Sequence, residues 1–169
     1  GPGGVGGFAG GGAHDRQGVP GGAAGGIAGS SGPVMAAADI FTITIAGVGG
    51  HAAFPHRTVD PVLIAGEIIV ALQTIVARNT DPLDSAVVSV TMMQAGEASN
   101  IIPEIATLTG SARTFTDAMR EKLEAAMRRI VEGVATAHGA VATLDYARGY
   151  PATVNHAGES ETAKRAAAA

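Results

Sequence analysis

Three polar side chains stand out by type and by neighbourhood. They are His51 in GVGGHAAFPH, Asn100 in NIIP and Arg113 in GSART. An arginine offers a planar fork to a carboxylate. An asparagine amide adds a directional donor, and an imidazole can donate to an oxygen that gains charge during a reaction. Together the three suit an anionic ligand. Taken singly, each has a plainer reading: a solvated loop histidine, a turn-forming asparagine and an exposed strand charge. No carboxylate is obviously placed as a general base. His14-Asp15 stands alone in the N-terminal part, and a chain with no cysteine has neither disulfides nor thiolate metal ligands.

The elements that must position these groups can be read from periodicity. Asp39 to Ala46 alternates Phe41, Ile43 and Ile45 against Thr42 and Thr44, a half-buried strand. Asp60-Pro61 opens a helix, with proline where its missing N–H does no harm. Val62, Ala65, Ile68, Ile69, Leu72, Ile75 and Val76 form its apolar face, and Asn79-Thr80-Asp81-Pro82 stops it. Ser85 to Gln94 and Glu104 to Thr114 read as strands joined by the polar Glu97-Ala98-Ser99-Asn100. Thr116 caps a second helix with the stripe Met119, Leu123, Ala126, Met127, Ile130, Val134 and Ala137. Gly139 ends it, with His138 near the negative pole of the helix dipole. Ala140 to Ala147 is the last strand, with Ala142, Leu144 and Tyr146 on one side.

The order strand, helix, strand, strand, helix, strand predicts an α+β, ferredoxin-like βαββαβ fold. Two helices would cover one face of a four-stranded antiparallel sheet and leave the other partly open. Loops and strand ends of one sheet can converge, so His51, Asn100 and Arg113 are expected to share a site. The fold itself names no function.

Composition sets the outer bounds. Of 25 glycines, 15 lie in residues 1–32, which read as a flexible segment. Residues 33–156 form the expected domain and 157–169 an alanine-rich tail without a clear element. A net charge of −4 with scattered Lys and Arg argues against nucleic acid. With four Phe and two Tyr, no strand carries the stacking aromatics of an RNA binder. No run approaches the roughly 18 apolar residues of a membrane span, and cytoplasmic residence is the default expectation.

Residues 33–155 resemble the dimerisation, or lid, domain of the metal-dependent amidohydrolases and carboxypeptidases, the metallopeptidase-like family of hippurate hydrolase, N-acyl-amino-acid amidohydrolase and aminoacylase. GPVMAAAD, GGHAAFPHRTVDP, ALQTIVARNTDPLDSAVVSV, AGEASNIIP, GSARTF and GYPATVN carry the resemblance, in the family's order. It implies that His51 reaches into a partner subunit's active site and polarises the scissile carbonyl. By the same resemblance Asn100 helps hold the substrate and Arg113 grips its carboxylate. His14, in GGAHD, is similar to a metal-ligand segment that precedes the lid, although its glycine-rich surroundings read on composition as flexible. The family uses one or two divalent metal ions, zinc, manganese or similar, to activate water. Its Cys-Gly-His-type ligand motif and Glu-Glu pair have no counterpart here. The resemblance therefore implies a homodimerising clamp for N-acyl amino acids that binds no cofactor itself and is inactive alone. The alternative is a non-catalytic dimerisation or regulatory module.

Overall fold

The computed structural model describes residues 31–167, so the glycine-rich segment up to residue 30, with His14, lies outside the described residues. In chain order the elements are β1 (Gly32–Met35), β2 (Ala37–Ala46), β3 (Gly50–His51), a 3-10 turn (Pro55–Arg57), α1 (Pro61–Asn79), β4 (Ala86–Ala95), β5 (Ile101–Ile102), β6 (Ile105–Thr114), α2 (Asp117–Ala137), β7 (Val141–Ala147), β8 (Thr153–Asn155) and α3 (Ala157–Ala167). They fall into two compact units: Ala36–Thr153, and the flanking segments up to Met35 and from Val154. In the flanking unit β1 and β8 pair as a two-stranded ribbon. The alanine-rich tail, for which the sequence offers no clear element, is largely taken up by α3.

Within Ala36–Thr153 the helix starts follow the capping chemistry. Asp60 Oδ1 accepts from the N–H of Val62 at 2.8 Å and of Leu63 at 3.4 Å, ahead of Pro61 at the first helical position. Thr116 Oγ1 accepts from Met119 N–H at 3.2 Å, with Asp117 in the first turn of α2. Each cap satisfies amide donors that the helix cannot, worth about 1 kcal/mol. At its far end α2 stops where Gly139 takes φ +75°. His138 caps that end, and its Nε2 lies 2.7 Å from Glu67 Oε2, which ties α2 to α1.

The central sheet has the order β4-β6-β2-β7, and every neighbouring pair in it is antiparallel. This is the expected α+β arrangement, strand-helix-strand-strand-helix-strand. Phe41, Ile43, Ile45, Leu108 and Leu144 point to the covered face and pack with Ile64, Ile68 and Leu72 of α1 and Leu123, Met127 and Val131 of α2. Each such side chain contributes roughly 1.5–3 kcal/mol by leaving water. The opposite face is a hydroxyl-rich surface, with Thr42 in register with Thr109 and Thr44 with Thr107.

Several expectations need correction. The buried stripe of α1 includes Ile64, while Val62 and Val76 are exposed; that of α2 runs through Val131 and Ala135 and leaves Ala137 outside. A helix turns once every 3.6 residues, so the buried stripe drifts from positions chosen at fixed three- and four-residue steps. Helix α1 is also long and apolar enough to cross a membrane by length and composition. That overturns the expectation that no segment reaches this threshold. One of its faces (Ile64, Ala65, Ile68, Leu72 and Ile75) lies in the core.

Candidate functional site

The chain leaves β2 through a segment pressed tightly against its neighbours. Gly47 N–H donates to Glu104 O at 2.8 Å, and Val48 exchanges hydrogen bonds with Val59 at 2.9 and 3.0 Å. A Cβ on Gly47 would stand 2.1 Å from Val59 O, and one on Gly49 would stand 2.9 Å from Ile102 O. No side chain fits there, which accounts for the glycines ahead of His51. The short ribbon of β3 and β5 follows, with His51 opposite Ile101, and Ala52 N–H donates to Asn100 O at 2.9 Å. His51 and Asn100 are thereby brought to one tip, and both are exposed.

At that tip the His51 ring has a defined polarity. Its Nδ1 accepts from Ala53 N–H at 3.1 Å, so in the neutral imidazole the proton sits on Nε2, which is left as a donor. The turn that follows is held by Phe54 N–H to His51 O at 2.9 Å, Arg57 N–H to Phe54 O at 3.0 Å and Thr58 Oγ1–H to Pro55 O at 2.9 Å. His56 belongs to this turn and sets its ring edge-on to Phe54 at 6.3 Å.

Arg113 lies elsewhere. It stands on β6 opposite Ala38 of β2 and Val87 of β4, on the open face and half-buried, with no hydrogen bond or ion pair to any described residue. His51 and Asn100 hang from the end of the sheet where β2 finishes and β6 begins, whereas Arg113 sits where β6 ends. At about 3.3 Å per residue, the eight steps from Ile105 to Arg113 separate the two ends by about 26 Å. The expected convergence of all three within one chain is therefore corrected: antiparallel strands put a strand's end and its neighbour's end at opposite edges.

A buried polar cluster escaped the sequence reading. Asp39, 1% exposed, accepts from Arg120 Nε at 2.8 Å and from Arg120 Nη2, from Tyr146 Oη at 2.8 Å and from Gly149 N–H at 3.0 Å. Arg120 Nη2 also donates to Gly149 O at 3.1 Å, and Ala38 N–H to Tyr150 O at 3.0 Å. Burial pushes the Asp39 carboxyl up, but the hydrogen bonds from Arg120, Tyr146 and Gly149 outweigh it and hold the group below the ordinary carboxylate range. Burial, and then donation to Asp39, push the Tyr146 hydroxyl well above its usual value. The signal was available: Asp39 shares its strand parity with Phe41, Ile43 and Ile45, so its side chain had to face the core. The cluster pins the incoming and outgoing strands of the unit to each other and offers no open coordination position.

Among the described residues no group of three or more His, Asp or Glu side chains is placed to hold a metal ion.

A family model described as a peptidase dimerisation domain matches residues 39–138. The chain belongs to this family. The chain is 40% identical over 157 residues to an N-acetylcysteine deacetylase of Bacillus subtilis, a match covering 93% of this chain and 40% of that protein. It is 42% identical over 125 residues to an N-acyl-L-amino acid amidohydrolase of Geobacillus stearothermophilus, covering 74% and 34%. Among solved structures, a dinuclear metal-binding peptidase of the M20 family from Bacillus subtilis superposes with a TM-score of 0.65 at 35% identity, covering 82% of this chain and 33% of that one. The chain thus spans 33–40% of the length of these relatives.

Proposed function

We propose that the Ala36–Thr153 unit is the ferredoxin-like lid and homodimerisation domain of a metal-dependent amidohydrolase that cleaves the amide bond of N-acyl amino acids, hippurate-like compounds among them. The observation that carries this reading is the placement of His51 and Asn100 at one end of the sheet and Arg113 at the other. No single copy can close on a small ligand with all three, but two copies can. Strand β4 is an edge strand with no charge in its ten residues, whereas the opposite edge, β7, carries Asp145. An uncharged edge is open to pairing. Antiparallel pairing of two β4 strands about a two-fold axis sets the Val87 end of one copy beside the Ala95 end of the other. That places the Arg113 end of one sheet next to the His51–Asn100 tip of its mate. The exposed Val62, Leu63 and Val70 of α1 add apolar surface for the same contact.

In this arrangement Arg113 grips the substrate carboxylate through its fork. Asn100 holds the substrate, and His51 Nε2–H donates to the scissile carbonyl oxygen as it gains negative charge. The metal chemistry comes from residues beyond this unit, and the chain alone turns over no substrate. The names of the relatives support the substrate class, and the fixed His51 tautomer supports the donor role.

Subunit complementation tests the reading. His51→Ala and Arg113→Ala each abolish N-benzoylglycine binding, followed by NMR, while a one-to-one mixture regains about a quarter of the wild-type sites, because only mixed dimers carry one intact site. A mixture that regains nothing, or single variants that bind normally, refutes the shared site and leaves a plain assembly module. Hydrolysis of hippurate by the isolated chain with added zinc, manganese or cobalt would refute its expected inactivity.

A further inference from the structure

The neighbourhood of His51 contains a feature that the carbonyl-binding role leaves unused. Phe54 is 50% exposed, although it is the largest apolar side chain of its turn. Its backbone is tied on both sides, through Phe54 N–H to His51 O and Arg57 N–H to Phe54 O. Its ring lies 5.7 Å from the His51 ring with a tilt of 59°. The guanidinium of Arg57 sits over the ring at 5.6 Å, and His56 meets it edge-on. The cation occupies one approach to the ring and leaves about half of the residue open to solvent. A half-exposed ring beside His51 can receive something flat or apolar.

We infer that Phe54 is a specificity-determining residue that packs against the acyl substituent of the substrate and favours aromatic acyl groups over acetyl. This rests on the proposed role of His51. If His51 Nε2–H donates to the scissile carbonyl, the carbonyl oxygen lies about 3 Å from that nitrogen. The acyl group is bonded to the same carbonyl carbon. A benzoyl ring extends farther from that carbon than an acetyl methyl group and offers an aromatic face to Phe54, whose ring lies 5.7 Å from that of His51. The amino-acid half is drawn the other way, toward Arg113 of the second copy. The acyl half is thus left on the ribbon side, where Phe54 is an exposed aromatic side chain and Ile101, opposite His51, an exposed aliphatic one.

The test compares N-benzoylglycine with N-acetylglycine on the full chain, with dissociation constants and ring resonances read by NMR. The expected result is at least about fivefold tighter binding of the benzoyl ligand, in line with the strength of aromatic pairs, with Phe54 ring signals moving for that ligand only. Phe54→Ala brings the ratio near one, and Phe54→Tyr preserves it. If both ligands shift His51 and Arg113 but the ratio survives Phe54→Ala, the acyl group lies elsewhere and this inference fails while the clamp reading stands. If Phe54→Ala instead weakens dimerisation and leaves the ratio intact, the ring packs against a second copy and the inference fails likewise. If neither ligand disturbs His51, Asn100 or Arg113, the clamp reading falls and this inference falls with it.

Discussion

Replacing Asp39 with alanine removes the one anion in a buried cluster of donors. Arg120 loses both contacts to that carboxylate and keeps Gly149 O at 3.1 Å; Tyr146 Oη and Gly149 N–H lose acceptors at 2.8 and 3.0 Å. Stripping one partner from a buried ion pair costs about 3–5 kcal/mol, because the other charge stays desolvated and unmatched. That is a large share of the 5–15 kcal/mol by which domains are typically stable. For a unit of this size it lowers Tm by roughly 12–20 °C. Removing both charges in Asp39→Leu with Arg120→Met leaves no unmatched buried charge, although Tyr146 Oη and Gly149 N–H still lose their acceptor, and costs less than the sum of the single changes. Urea unfolding at neutral pH, followed by circular dichroism, measures Asp39→Ala, Asp39→Leu, Arg120→Met and the double variant on one scale. A single-variant loss under about 1 kcal/mol, or strict additivity in the double variant, would refute the argument that the pair is a coupled, desolvated unit. Acid adds an independent check. Because the folded Asp39 carboxyl is a stronger acid than its unfolded counterpart, the unfolded chain binds more protons below the ordinary value of 3.8. Its contribution is full above about pH 4 and is lost as the pH falls through the lower folded value. Asp39→Asn flattens that acid limb.

Four further outcomes follow from local chemistry. Tyr146 is held protonated above its ordinary value of 10.0, so its contribution is present below about pH 10 and declines at higher pH as only the unfolded chain ionises; Tyr146→Phe removes this alkaline slope in unfolding curves. Gly47→Ala forces a Cβ to 2.1 Å from Val59 O and costs about 1–3 kcal/mol, with the His51 and Asn100 amide resonances displaced together. Asp60→Ala removes the cap of α1 and costs about 1 kcal/mol, measurable as a shifted urea midpoint with an unchanged slope. Thr114 Oγ1 is buried without a hydrogen-bond partner among the described residues, so Thr114→Val is expected to be neutral or to raise stability by about 1 kcal/mol.

Local signals fixed most of the architecture. The alternation around Phe41, the Asp60-Pro61 start, the Thr116 cap and the Gly139 stop each act within a few residues, and each stands where the chain predicted it. The same locality explains what was missed. The pairing of β3 with β5 joins residues fifty positions apart through two-residue strands, too short to show any alternation. The Asp39–Arg120 contact spans 81 positions. Its parity could be read, but its partner required knowing which turn of α2 crosses the end of β2. For the candidate site, nearness of His51 to Asn100 follows from that short ribbon, and the remoteness of Arg113 follows from strand direction. Residue types alone suggested a trio; only the register showed that it is split.

The side-by-side passage of the incoming and outgoing strands, joined by Ala38 N–H to Tyr150 O at 3.0 Å and locked by Asp39 and Arg120, has a bearing on how such a unit travels between proteins. A module whose two leads emerge a hydrogen bond apart can replace a surface loop of a host at little cost in closure entropy, since the host sees nearly the same end-to-end gap. Leads this close together are what insertion into a host surface requires.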